Sequence, residues 1–351
     1  MLSRVVSFGN QQIGPVCPCF IIAEAGVNHN GDISLAHRLV EAAAQAGADA
    51  IKFQTFKTER LVTTNAPKAD YQKQSTGETG SQFDLLKSLE LTREMHQALI
   101  AHCQRMDLVF LSSAFEEESA DDLIELGLKI LKIPSGELTN LPFLRHVAGK
   151  GLPVILSTGM SSMEEVEKAV EVFQSVGHQQ LVLLHCVSNY PANPADCNLR
   201  AMRTMEELFG LPVGFSDHTD GIEIALAAVA LGACVIEKHV TLDRNLRGPD
   251  HQASLEPDQL TALVRGIRRV ESSLGDGRKV PVAAERNTAD VARKSIVAAC
   301  DIPADCLITR EMLTIRRPGT GLPSAMLPDI AGRRARAAIR AGTIISLEML
   351  T

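Results

Sequence analysis

The chain has 351 residues, 45% hydrophobic and 22% charged, an ordinary globular composition with room for a barrel of roughly 250 residues and one small module. A formal charge of −7, 4% aromatic residues and no tryptophan argue against nucleic-acid partners, although local lysines can still make a positive pocket for an anionic substrate. No apolar run approaches the roughly 20 residues of a membrane span, and the N-terminus lacks a basic-then-apolar signal pattern, so a cytoplasmic protein without a membrane partner is expected.

Residues 1–19 read as a short hairpin turning at Phe8-Gly-Asn-Gln. From Phe20 a rhythm begins, in which a short apolar run ends in a polar residue and a helical stretch follows. The apolar runs are 20–25, 50–54, 108–112, 129–133, 153–157, 181–185, 213–216 and 234–239. Amphipathic segments lie near 35–46, 93–105, 117–126, 141–148, 163–176, 200–209, 222–230 and 257–274. Strands alternating with helices imply parallel βαβ units, and eight of them fit a closed (β/α)₈ TIM barrel. The alternative is a doubly wound sheet, which the absence of GxGxxG after the first run disfavours.

Residues 57–90, rich in Thr, Gln, Lys and Gly, interrupt the rhythm after the second strand and read as a lid or binding loop, or else as a disordered segment. Past Gly275-Asp-Gly277 the rhythm stops. The division is a barrel with its hairpin over 1–277, a linker over 278–292 and a small β-rich module over 293–351. The module carries a gapless internal repeat of 301–313 on 338–350, in which Ile, Ala, Ile, Glu, Met and Leu coincide. Each copy reads as strand, turn, strand, short helix, and two such units can pack about a pseudo-two-fold axis. The run 333–340 reads as a solvated face. The eight cysteines show no CxxC spacing, and reduced thiols are expected.

Polar groups at the strand ends point to a site at the carboxyl rim of the barrel. In order they are Glu24, leading into Asn28-His29-Asn30-Gly31; Lys52 and Gln54; Ser112 and Ser113; Lys132, running on to Ser135 and Glu137; Ser157-Thr158-Gly159; His185, followed by Ser188, Asn189 and Tyr190; Ser216, Asp217 and His218; and Glu237 and His239. If the last two strands are neighbours, His218 and His239 project from one edge and suit a catalytic divalent metal. The plainer alternative is one exposed and one core histidine. Lys52 and Lys132 sit in apolar strands and each needs an anion. That anion is either Glu24 or Glu137 in a salt bridge, or a phosphate or carboxylate held with Ser113, Ser135, Ser157 and Ser216. Glu24 and Glu137 are candidate acid–base or sugar-hydroxyl groups. His185 reads as a hydrogen-bonded core histidine, and His29 and His251 as ordinary polar loop residues. Arg316 and Arg317 precede a Pro-Gly turn that would aim a guanidinium.

These residues make the chain resemble the sialic acid synthase family, whose members condense phosphoenolpyruvate with an N-acylated hexose to give a nine-carbon 2-keto acid. The resemblance is carried by Glu24-Ala-Gly-Val-Asn-His-Asn-Gly31, Lys52-Phe-Gln-Thr55, Lys132-Ile-Pro-Ser-Gly-Glu137, Ser157-Thr-Gly-Met160, His185-Cys-Val-Ser-Asn-Tyr-Pro191, Ser216-Asp-His218, Glu237-Lys-His239, Gly248-Pro-Asp-His251 and Arg316-Arg-Pro-Gly319. It covers nearly the whole chain in family order, and the small module resembles the family's antifreeze-like (SAF) domain.

The resemblance implies roles. His218 and His239 would bind a divalent metal, Mn²⁺ first, with Mg²⁺ or Co²⁺ as alternatives. Lys52, Lys132, Ser113, Ser135, Ser157 and Ser216 would hold phosphoenolpyruvate. Ser188 would make a phosphate contact where some members carry Asn. Glu24, Gln54, Glu137, Tyr190 and Asp250 would hold the open-chain sugar. Arg317 would reach the N-acyl group from the partner subunit of a homodimer with exchanged C-terminal domains. Among sugars, the motifs look closest to the N,N′-diacetyllegionaminate branch, with N-acetylneuraminate synthase, using N-acetylmannosamine, as the alternative. Two other readings compete. One is a Schiff-base lyase or aldolase using Lys132 or Lys52 as nucleophile. The other is a non-catalytic carbohydrate- or ice-binding protein built on the small module.

Overall fold

The computed structural model describes residues 5–69, 72–73 and 80–351. The first four residues of the expected hairpin, and residues 70–71 and 74–79 of the expected 57–90 loop, lie outside the described residues. Strands β1 (Val6–Phe8) and β2 (Gln11–Ile13) form the hairpin, with Val6 opposite Ile13. Its turn passes through Gly9 at φ +53°, a left-handed conformation that glycine adopts without a Cβ clash.

The eight expected runs are parallel strands: β3 (Phe20–Gly26), β4 (Ala50–Thr55), β5 (Val109–Ala114), β6 (Leu131–Ile133), β7 (Val154–Ser157), β8 (Leu181–Cys186), β9 (Val213–Asp217) and β10 (Val235–His239). They pair in sequence order, and β10 closes the barrel on β3 with His239 opposite Glu24. The helices are α1 (Ile33–Ala46), α2 (Thr58–Leu61), α3 (Gln82–Lys87), α4 (Arg93–Arg105), α5 (Glu117–Glu125), α6 (Leu141–Gly149), α7 (Met163–Ser175), α8 (Arg200–Phe209), α9 (Glu223–Ala230) and α10 (Pro257–Leu274). Their ends follow local chemistry. The Asp32 side chain accepts from the Ser34 amide to cap α1, Ser162 and Glu165 form a capping box on α7, and Pro257 opens α10. Among the described residues, no helix is long and apolar enough to cross a membrane.

The period of two along each strand sorts side chains into two cores. Outward residues such as Ile21, Ile51, Leu131, Leu156, Leu183 and Ile236 pack with the helices. Inward residues of the lower barrel, among them Phe20, Ile22, Leu111, Ile155, Val182 and Val235, pack on Val6, Phe8 and Ile13 of the hairpin, which plugs that end. Space inside is tight. A Cβ on Gly214 would lie 2.6 Å from Val235 Cβ, so only glycine fits there. The Arg268 guanidinium of α10 donates to Cys19 O at 2.8 Å and pairs with Asp49 at 2.9 Å, tying the last helix to the start of the barrel.

Residues 57–90 are not wholly a loop, since α2 and α3 fall within them. A capping box between Ser81 and Asp84 starts α3. The two helices are tied by Lys87–Glu59 at 2.8 Å and by the Thr58 amide donating to Glu90 at 2.7 Å.

The chain divides into two units, residues 1–275 and 276–351. The expected linker is not featureless, because α11 (Arg286–Ala292) lies in it. The second unit contains β11 (Ser295–Ala298), antiparallel to β12 (Leu313–Arg316), and a one-turn helix α12 (Leu327–Ile330). The repeat is realised as a pseudo-two-fold. Ile302 and Ile339, equivalent in the two copies, exchange both backbone hydrogen bonds at 2.8 Å. Asp305 and Gly342, also equivalent, both have positive φ and donate to Ala335 O and Ala298 O respectively. Ile302, Ile308, Leu313, Ile339, Ile345 and Leu350 form the shared core. All eight cysteines are free thiols.

Candidate active site

The inward residues of the barrel change from apolar to polar towards the carboxyl ends of the strands. Above that polar layer opens a cavity of about 620 Å³. Glu24, Lys52, Gln54, Ser113, Lys132, Ser135, Glu137, Ser157, Ser188, Tyr190, Ser216, His218, His239 and Asp250 all line it. Arg317 belongs to the second unit. Its side chain is exposed there, and its Nε donates to Ala292 O at 3.0 Å.

Both lysines are buried, and serines back each of them. Lys52 Nζ donates to Ser113 Oγ at 2.8 Å and lies 2.7 Å from Glu24 and 3.8 Å from Glu237. Lys132 Nζ donates to Ser157 Oγ at 2.8 Å and lies 3.8 Å from Glu237. Of the two carboxylates expected as lysine partners, Glu24 fills that role. Glu137 instead accepts from the Asn140 side chain at 2.8 Å, and partial burial pushes its carboxyl pKa up.

Sequence reasoning named Glu237 only among the polar strand ends and missed its role. It sits between the two lysines and accepts from Ser216 Oγ at 3.0 Å. The signal was present, because Glu237 is two residues before His239 and so shares its inward face. Cys186 was also missed. Its thiol lies 3.2 Å from Ser135 Oγ, which in turn accepts from the Gly159 amide at 2.9 Å.

Burial and neighbouring charge divide the titrating groups. Burial raises the Glu24 carboxyl to about 7 against the pull of Lys52. Burial also works against the Glu237 charge, but Lys132 and Lys52 outweigh it and hold its pKa below the usual range. Lys52 keeps its charge because Glu237 and Glu24 overcome its desolvation, whereas burial leaves the Lys132 pKa lower than an ordinary lysine's. Asp250 is pushed up to about 6 by burial.

His218 and His239 lie at one rim, with ring centroids 5.6 Å apart. The Tyr190 ring lies 4.2 Å from that of His218. Burial lowers both imidazole pKa values, that of His239 well below normal, which favours the uncharged form that can act as a ligand. His218 Nδ1 donates to Val187 O at 2.6 Å, which makes Nε2 the acceptor nitrogen; Ser216 Oγ lies 3.3 Å from it but donates its proton to Glu237. His239 Nδ1 is buried without a hydrogen-bond partner among the described residues. Two buried rings, one with its tautomer set by Val187 O and one with an orphaned nitrogen, fit a divalent cation as ligands. Among the described residues no third His, Cys, Asp or Glu completes such a set, so water or substrate oxygens would fill the remaining positions.

Three further histidines were expected to have plain roles. His185 does, with Nε2 at 2.6 Å from Cys197 O. His29 and His251 are not ordinary loop residues. Both are fully buried, His29 Nδ1 accepts from the Gly31 amide, and His251 Nδ1 lies 2.7 Å from Thr241 Oγ1. Long-range packing of the rim loops buries them, which local sequence does not reveal.

The polar floor meets an apolar wall that the sequence reading also missed. Leu61, Val62, Leu85, Leu86 and Phe115 face the cavity from α2, α3 and the end of β5.

Residues 39–279 match the NeuB family, and residues 293–351 match the SAF domain. The chain is 48% identical to the N,N′-diacetyllegionaminic acid synthase of Legionella pneumophila, over 95% of each chain. It is also 48% identical to the N,N′-diacetyllegionaminic acid synthase of Campylobacter jejuni, over 90% of this chain and 95% of the relative. The crystal structure of N-acetylneuraminic acid (sialic acid) synthetase from Leptospira borgpetersenii, in complex with citrate, aligns with a TM-score of 0.72 at 40% identity, covering 82% of this chain and 95% of that one.

Proposed function

This chain belongs to the NeuB family as a phosphoenolpyruvate-dependent synthase of nonulosonic acids with a C-terminal SAF domain, and we propose that the acid it makes is N,N′-diacetyllegionaminate. The observation that carries the reading is one cavity that holds two serine-backed lysines beside two buried histidines at one rim.

Lys52 and Lys132, with Ser113, Ser135, Ser157, Ser188 and Ser216, bind the phosphate and carboxylate of phosphoenolpyruvate. Their donors are fixed before substrate arrives, so little reorganisation opposes charge development. Gln54, Glu137, Tyr190 and Asp250 hold the open-chain sugar with its aldehyde over the floor. His218 and His239 would hold a divalent cation, Mn²⁺ first, which supplies Lewis-acid polarisation of the aldehyde oxygen when bound. The enol carbon of phosphoenolpyruvate bonds to the aldehyde carbon, whose oxygen takes a proton. Positive charge then develops at C2, beside Glu237 and Glu24. Water adds at C2 and loses a proton, the C2–O bond to phosphate breaks as the new C2 hydroxyl gives its proton to the departing phosphate, and a 2-keto acid and inorganic phosphate remain. Glu24, with a pKa of about 7, can hold or release a proton near neutral pH.

The assembly belongs to the same proposal. The protein works in the cytoplasm as a homodimer with exchanged C-terminal domains, and the partner's Arg317 donates to the N-acyl carbonyl of the sugar.

The test is phosphate release with phosphoenolpyruvate and Mn²⁺ across a panel of 2-acetamido hexoses. The expected result is a higher kcat/KM for 2,4-diacetamido-2,4,6-trideoxymannose than for N-acetylmannosamine, with turnover lost on chelation and restored by Mn²⁺. The reverse preference would make the protein an N-acetylneuraminate synthase. Full turnover by metal-stripped protein would remove the cation from the mechanism.

A further inference from the structure

The cavity is chemically two-sided. Its floor is the charged layer of the barrel, and one side of its mouth is a mainly apolar wall of Leu61, Val62, Leu85, Leu86 and Phe115, beside which Gln82 Nε2 donates to Gln72 Oε1 at 3.4 Å. The wall is a built feature of the fold. Leu61, Leu85, Leu86 and Phe115 pack on the buried trio Val27, Phe56 and Leu89, and the Phe56 and Phe115 rings meet edge to face at 5.8 Å. The Lys87–Glu59 pair and the Thr58–Glu90 hydrogen bond fasten α2 to α3 behind it.

Reaction geometry decides which part of the sugar meets this wall. The aldehyde carbon must reach phosphoenolpyruvate on the floor, so the far end of the open chain, C4 to C6, extends to the mouth. A hydroxyl set against aliphatic side chains loses water and gains no partner, whereas a methyl group loses nothing. We infer that this wall, chiefly Leu61 and Leu85, is the specificity determinant for the far end of the sugar, and that it selects a 6-deoxy hexose over one with a C6 hydroxyl. The inference rests on the cavity being the sugar site of a phosphoenolpyruvate-condensing synthase. Selection by such a wall is modest, because an apolar pocket rejects an added hydroxyl by about a hundredfold at most.

The experiment measures kcat/KM for three sugars: 2,4-diacetamido-2,4,6-trideoxymannose, N-acetylmannosamine, and 2-acetamido-2,6-dideoxymannose, which differs from N-acetylmannosamine only at C6. Wild type is compared with Leu61→Gln, Leu85→Gln, their double variant, and Leu61→Met and Leu85→Met. Wild type should favour the 6-deoxy sugar over its C6-hydroxyl counterpart by about tenfold or more. The glutamine variants should lose most of that ratio through the KM of the sugar, and the methionine variants should keep it. The KM for phosphoenolpyruvate should not change, which shows that each variant is folded with an intact floor. Should the double variant fail to fold, the single glutamine variants carry the same expectation. An unchanged C6 ratio in the glutamine variants, or an equal loss in the methionine variants, overturns the assignment of the wall and leaves the synthase standing. No phosphate release by wild type with any of the three sugars would overturn the synthase reading itself, a separately recognisable result.

Discussion

The Lys132 ammonium is buried, its pKa is depressed by that burial, and its neighbours are Glu237 at 3.8 Å and Ser157 at 2.8 Å. Lys132→Met keeps the length of the side chain and removes its charge. Losing one buried charged contact to a bound anion costs about 2–4 kcal/mol, so the KM for phosphoenolpyruvate should rise roughly 30-fold or more. The sugar KM should change little, and steady-state kinetics with each substrate varied in turn separates the two. Unchanged phosphoenolpyruvate affinity would make Lys132 a structural ion pair only. His29 gives a pH prediction. Burial lowers its pKa to about 4, so the unfolded chain takes up a proton first as pH falls below about 6.5. The stability it confers is present above that pH and is lost towards pH 4, amounting to about 2 kcal/mol by pH 5. Glu24 and Asp250, raised to about 7 and about 6, act in the opposite sense, losing stability as pH rises. The comparison is therefore with His29→Asn, whose Oδ1 can replace the acceptor for Gly31. The stability gap between wild type and variant, from urea unfolding, should shift in favour of the variant by that amount between pH 7.5 and 5. At this scale the strand-end residues were legible because inward positions recur every second residue. Glu237 obeys the same rule and stands among those strand ends, but its place between the two lysines depends on closure of the barrel and was not legible. The burial of His29 and His251 was not legible, since it depends on loops about 220 residues apart in sequence meeting over one rim.

Strands β9 and β10 carry a second ion pair on their outward face. Lys238 Nζ lies 2.7 Å from Asp217 Oδ2 and donates to Thr219 O at 2.7 Å, while Asp217 Oδ1 accepts from the amide and hydroxyl of Thr219. Each partner is next in sequence to a candidate metal ligand, so the pair fixes the strand ends that present His218 and His239. Lys238→Met would leave Asp217 as an uncompensated buried carboxylate, costing about 3–5 kcal/mol. The expected outcome is a clearly lower Tm by calorimetry, partly recovered in Asp217→Asn with Lys238→Met. A Tm within a degree of wild type would show that the pair is dispensable. Elements of the barrel were legible because apolar runs and amphipathic stretches alternate, and the strand and helix limits fall close to those expected. Residues 57–90 were less so. Polar composition read as loop, yet Ser81-Gln-Phe-Asp84 is a capping-box signature followed by Leu85 and Leu86, and it starts α3. The apolar wall was hidden with it, because α2 is one turn long and shows no helical period of its own.

The two units follow different folding rules. The first stacks eight βα repeats around one axis, and the second folds two half-repeats about a pseudo-two-fold that the sequence alignment of 301–313 with 338–350 had indicated. Arg317 lies in the second unit, so the proposed dimer is tested by complementation. Inactive His239→Ala protein is mixed with inactive Arg317→Ala protein under conditions that exchange subunits. A heterodimer with exchanged domains contains one site with both groups intact, and activity should return towards half. No recovery, with exchange confirmed by mass, would mean that no site draws Arg317 from a second chain. The central claim is the identity of the reaction and of its sugar, and competition tests it most directly. Equal concentrations of 2,4-diacetamido-2,4,6-trideoxymannose and N-acetylmannosamine are supplied with limiting phosphoenolpyruvate and Mn²⁺, and the products are read by mass spectrometry. The account predicts that N,N′-diacetyllegionaminate dominates, with one phosphate released per molecule formed. A majority of N-acetylneuraminate would contradict the choice of sugar, and phosphate released with pyruvate alone would contradict the condensation.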